Sequence, residues 1–91
     1  LDDKEADRYD LVETTAFLKD VEGLAGSLQQ WDEIKSAIDW ALSTDPRIGR
    51  QISETAVWAL PIESRPMFTV YYTIDEGRRV VTLQRAFRLA E

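Results

Sequence analysis

The sequence contains no cysteine and no histidine, and its last lysine is Lys35. Without cysteine there is no disulfide framework, thiol nucleophile or thiolate metal site. Without histidine the usual general base disappears, and with it the Ser-His and Cys-His constellations and nearly every transition-metal site. The acidic pairs Asp2-Asp3, Asp32-Glu33 and Asp75-Glu76 are chain neighbours in exposed contexts, a poor basis for a metal cage, so neither metal nor cofactor is expected. No apolar run approaches the roughly 18–20 residues of a membrane span, and no signal peptide is visible. A soluble, cytoplasmic protein with no membrane partner is expected. The chain opens on Leu1 rather than methionine, as a trimmed or partial chain would.

The 91 residues suffice for one domain that buries roughly 60–65% of its unfolded surface. Residues 1–8 are dominated by charge and are expected to fray, leaving 9–91 as the folded domain. The net charge of −6 conceals an asymmetry. Residues 1–45 hold twelve acidic and four basic side chains; residues 46–91 hold five acidic and seven basic ones, all arginine. Arginine suits bidentate contacts to phosphate or carboxylate. Two readings follow: a solvated surface with protected strand edges, or an arginine-lined sheet that meets an anion or an acidic partner segment.

The chain is organised around Met67–Leu83, where two runs rich in β-branched and aromatic residues flank Asp75-Glu76-Gly77 in the manner of a β-hairpin. Phe68, Val70, Tyr72 and Ile74 share one parity and form a core face. Thr69, Tyr71 and Thr73 share the other, which is lightly covered or lines a groove. Upstream, Tyr9–Glu13 reads as a short strand, and Thr14 and Thr15 are helix N-cap candidates. Phe17, Leu18, Val21, Leu24 and Leu28 recur at helical spacing, with a helix end expected near Gly26. Trp31, Ile34, Ile38, Ala41 and Leu42 make a second stripe over Trp31–Ser43, stopped before Pro46. Arg47–Glu54 reads as a polar connection, Thr55–Leu60 as a strand ended by Pro61, and Gln84–Glu91 as a strand extension or a terminal turn. The expected architecture is α+β, in the order β-α-α-β-β-β, with a helical hairpin packed on one face of an antiparallel sheet.

Taken in order, Thr14, Phe17-Leu-Lys-Asp20, Leu24, Asp45-Pro46, Gly49, Trp58, Val70-Tyr-Tyr72, Ile74-Asp75, Arg78, Val80 and Leu83 form a pattern covering most of Tyr9–Arg88. This pattern resembles the RelE/ParE superfamily of toxin–antitoxin toxins. The resemblance implies a compact toxin fold. It also implies a concave sheet surface that cleaves mRNA on the ribosome or, in the ParE branch, engages DNA gyrase. An antitoxin segment would wrap and neutralise it, and self-association stays open. The sequence departs from the nuclease pattern at three places. Thr69 stands where many RelE-like nucleases carry an arginine, the second-strand lysines are missing, and the C-terminal tyrosine or histidine is replaced by Arg85-Ala-Phe-Arg88-Leu-Ala-Glu91.

Cleaving RNA through its own 2′-hydroxyl needs a base, an acid and cations around the transition state. Here the candidate catalytic groups are Arg65, Tyr71, Arg85 and Arg88, while Trp58 and Arg79 are candidates for partner binding. For Trp58 the competing reading is packing. Two classes therefore remain open: a toxin-like endoribonuclease, or a non-catalytic binding protein of the same fold directed at gyrase or at an antitoxin alone.

Overall fold

A computed structural model of the chain describes residues 8–24, 28–63 and 67–88. The expected frayed segment, the end of the first helix near Gly26 and the candidate Arg65 therefore lie outside the described residues, the segment in all but Arg8. The elements run β1 (Asp10–Glu13), α1 (Thr15–Leu24), α2 (Leu28–Thr44), a 3₁₀ turn (Pro46–Ile48), β2 (Arg50–Gln51), β3 (Val57–Ile62), β4 (Phe68–Asp75) and β5 (Val80–Arg88). Among the described residues no helix is long and apolar enough to cross a membrane.

Local chemistry explains the boundaries. Thr14 is the N-cap of α1: its hydroxyl oxygen accepts the Phe17 amide at 3.1 Å and lies 3.0 Å from the Leu83 and Gln84 carbonyls. That one side chain starts the helix and ties it to the sheet. At the far end of α2, Asp45 accepts the Arg47 amide and Pro46 opens the 3₁₀ turn, since proline cannot extend the α-helical ladder. Leu28 opens α2 instead of completing the stripe of α1, and Leu18 faces solvent.

The five strands lie in the order β1-β5-β4-β3-β2. Neighbours are antiparallel except β1, which runs parallel to β5 with Asp10 opposite Val80 and Glu13 opposite Leu83. The antiparallel expectation is corrected there, because the helical pair between β1 and the later strands acts as a crossover. Two further corrections concern β3. Thr55 belongs to the preceding turn, where its amide and hydroxyl both donate to the Ile52 carbonyl. The strand also continues through Pro61, which lies beyond the last residue paired with β2, where that side of β3 needs no amide donor.

Both helices cover one face of the sheet. Phe17 and Val21 of α1 and Ile38 and Leu42 of α2 meet Phe68, Val70, Tyr72, Val81, Leu83 and Ala86 in a single buried cluster. Replacing Ile38 or Val70 with alanine is expected to cost about 2–4 kcal/mol each. Glu76, in the exposed β4–β5 turn, accepts a 2.8 Å hydrogen bond from the Tyr9 hydroxyl and pairs with Arg47, so it is not without contacts. Because those contacts are solvated, Glu76→Ala is expected to cost less than about 1 kcal/mol when all three variants are compared by urea titration. Equal losses at Val70 and Glu76 would contradict the assignment of faces.

Candidate functional site

The face turned away from the helices carries the chemistry, and its composition depends on one irregularity. Along β5, Val81 and Leu83 point into the core, and strict alternation would send Arg85 and Phe87 there too. Instead the register slips: Tyr72 pairs with Leu83, but Tyr71 pairs with Arg85, leaving Gln84 as an extra residue. This β-bulge reverses the parity. Ala86 is buried in the core, while Arg85 and Phe87 share the other face with Tyr71 and Thr69, of which Thr69 is itself buried. The Gln84 amide donates to the Thr73 hydroxyl at 3.3 Å beside the bulge.

Register then places Arg50, Ala59, Tyr71 and Arg85 in one row across β2, β3, β4 and β5. With roughly 4.8 Å between neighbouring strands, the two arginine backbones stand about 14 Å apart. At one end of the row the Tyr71 and Phe87 rings meet edge-on with centroids 5.7 Å apart. The Arg85 guanidinium lies over Phe87, 4.6 Å from its centroid. Towards the other end, Ile48, Gly49, Arg50, Ala59, Pro61 and Thr69 line a shallow, mainly apolar groove of about 520 Å³.

Arg85 is held in a fixed pose. Asp20 of α1 reaches round the edge of β5 left free beyond the end of β1. Its carboxylate accepts Arg85 Nε at 2.7 Å, Arg85 Nη2 at 3.2 Å and the Ala86 amide at 2.9 Å. The hydrogen bond from Arg85 holds the Asp20 carboxyl below its ordinary range, aided by the Ala86 amide and opposed by desolvation. A carboxylate with a lowered folded pKa stabilises the fold above its unfolded value, and that contribution fades as pH falls through the folded value. Asp20→Asn is therefore expected to cost about 1 kcal/mol at pH 7, a modest figure because the pair is solvated. The gap from the wild type should close on acidification below about pH 4. A gap that stays constant with pH would remove the carboxylate from this role.

The candidate residues do not all converge. Arg85 and Tyr71 are direct cross-strand partners. Arg88 ends β5 opposite Phe68, exposed and on the other parity from Arg85. Arg79 occupies the β4–β5 turn in a left-handed conformation with φ 55°, over the Tyr9 ring at 5.8 Å, at the opposite end of the hairpin. Trp58 lies on the helix-covered face, stacked on Tyr72 with centroids 6.5 Å apart. Sequence reasoning missed Arg50, Phe87 and the role of Asp20. For Asp20 the arginine partner is 65 residues away, and no local pattern marks it.

This architecture, a helical pair on one face of a mostly antiparallel five-stranded sheet, is that of the RelE toxins, and the chain has a RelE-like fold. A chain of the Mycobacterium tuberculosis RelBE2 toxin–antitoxin complex superposes with a TM-score of 0.71 at 20% identity, covering 92% of this chain and 94% of that one. The intact Escherichia coli RelBE complex gives 0.68 at 16% identity, covering 91% and 99%. An E. coli RelE mutant in complex with an antitoxin RelBc peptide also gives 0.68 at 16%, covering 92% and 86%. No family model and no curated protein matches the sequence.

Proposed function

We propose that this chain is the toxin of a toxin–antitoxin pair and that its open sheet face works by binding protein rather than by cutting RNA. The observation that carries this reading is the apolar groove over Ala59, Pro61 and Thr69, in the region where a nuclease would gather cations. Transition-state charge in RNA cleavage needs several cations on one phosphate and a base at the 2′-hydroxyl. Here the two guanidinium groups of the row, Arg50 and Arg85, stand at its opposite ends, and Asp20 already engages Arg85. The net charge of −6 also opposes unaided RNA binding. An antitoxin is the first partner, by analogy with the RelBE complexes and the RelE–RelBc peptide complex. DNA gyrase is the target that the sequence resemblance to the RelE/ParE superfamily offers for a non-catalytic toxin.

The adjacency of Tyr71 and Arg85 favours a second reading, a ribosome-dependent endoribonuclease in which Arg65 and Arg88 complete the cationic set. Expression in a bacterial host separates the two. Growth arrest with intact mRNA and altered DNA supercoiling is the expected outcome. Ribosome-dependent mRNA cuts that vanish in Arg85→Ala or Arg88→Ala would replace it with the nuclease. Absence of arrest, with no co-purifying antitoxin-like chain, would remove the toxin reading altogether.

A further inference from the structure

We infer that the groove between β2 and β3 seats an aliphatic side chain of an extended partner segment, and that Arg50 clasps a carboxylate close beside it on that segment. The inference rests on the reading that the open face binds protein, and it names the chemistry of what is bound. The groove exists because the residues at its centre are small or cannot move. Gly49 packs its backbone directly against the sheet, where a Cβ would come within 2.5 Å of the Tyr72 hydroxyl and 2.6 Å of the Ala59 carbonyl oxygen. Its amide donates to that hydroxyl at 3.2 Å, and the hydroxyl donates to the Pro46 carbonyl at 2.6 Å. The wall is therefore set before anything binds, which lowers the ordering cost of binding. Ala59 contributes only a methyl group to this face, Ile48 and Pro61 are exposed carbon surface, and Thr69, which is buried, closes the groove at its inner side.

Charge decides what accompanies the apolar group. Arg85 is taken by Asp20, whereas Arg50 pairs with no carboxylate among the described residues. An exposed cation beside an apolar depression matches an aliphatic residue two along from Asp or Glu in an extended chain, where the two side chains share a face. The mostly carbon lining and the single cation suit a nucleotide less well. Pro61 lies at the free edge of β3 and has no amide to offer a new strand, so the partner enters through its side chain and not by extending the sheet.

The experiment is an NMR titration of the full chain with the blocked peptide acetyl-Leu-Ser-Glu-Ser-amide, whose leucine and glutamate share one face when extended, its glutamine counterpart and uridine monophosphate. Saturable shifts of the Ile48 and Ala59 methyl groups and the Thr69 amide are expected with the glutamate peptide. The glutamine peptide should bind about three- to fivefold more weakly, the share of a solvated ion pair. Arg50→Ala should make the two peptides equal. Ala59→Leu, which fills the groove, should abolish binding of both with the melting temperature retained; if Ala59→Leu does not fold, Arg50→Ala still decides. Shifts mapping elsewhere, equal binding of the two peptides by wild type, or tighter binding of uridine monophosphate at the same methyl groups would each overturn the inference. Growth arrest by the wild-type chain tests the toxin reading separately. Arrest without peptide binding removes the groove alone, and peptide binding without arrest removes the toxin alone.

Discussion

Replacing Phe17 with alanine should cost about 3–5 kcal/mol and lower the melting temperature by roughly 15 °C or more. The ring is fully buried, sits in the first turn of α1 and touches Trp31 of α2 with centroids 6.2 Å apart. It is thus the point where both helices and the sheet share one contact, and a void there leaves three elements without a packing partner. Since domains of this size are stable by only about 5–15 kcal/mol, the loss takes a large part of the total. Phe17→Leu keeps most of the volume and should cost only about 1 kcal/mol. Thermal unfolding followed by circular dichroism checks both. Similar melting temperatures for wild type and Phe17→Ala would mean that α1 does not dock as described.

The second large effect belongs to the pair Gly49 and Tyr72. Tyr72 is fully buried in β4, and its hydroxyl both receives the Gly49 amide and donates to the Pro46 carbonyl. Burial raises the pKa of this phenol, so it stays neutral and available as a donor. Tyr72→Phe strands one amide and one carbonyl and should cost about 1–3 kcal/mol. Gly49→Ala forces a methyl group against the hydroxyl and against the Ala59 backbone, with an expected cost of about 2–4 kcal/mol. The two effects should not add. Removing the hydroxyl relieves one of the two collisions, so the double variant should lose less than the sum by about 1 kcal/mol, with the Ala59 collision remaining. Strict additivity in urea titrations would show that the two residues do not share this contact. The same cycle bears on binding, because Gly49 and Ala59 both line the groove.

Much of the framework was legible from the chain because it depends on local periodicity. The alternation in Phe68–Ile74 placed Phe68, Val70 and Tyr72 inside, and the 3.6-residue spacing placed Phe17, Val21, Ile38 and Leu42 against them. Thr14 and Pro46 marked boundaries because capping and the missing proline amide act within a few residues. Where a short element is held only by a distant partner, the reading failed. Arg50–Gln51 has no strand signature of its own and is a strand only because Ala59 and Trp58 lie opposite. The parallel pairing of β1 likewise follows from the crossover and not from its four residues.

The sequence by itself determined the α+β class, the two amphipathic helices, the core face of the central hairpin and the exclusion of histidine and cysteine chemistry, because each depends on residue identity and spacing alone. Only the tertiary structure decided which residues meet on the open face. The slip at Gln84 turns Arg85 and Phe87 outward against the parity of Val81 and Leu83, and strand register alone lines up Arg50, Ala59, Tyr71 and Arg85. Asp20 reaches Arg85 only because α1 folds back along the edge of β5. These juxtapositions depend on hydrogen-bond register and packing between segments far apart in the chain, which no local pattern encodes.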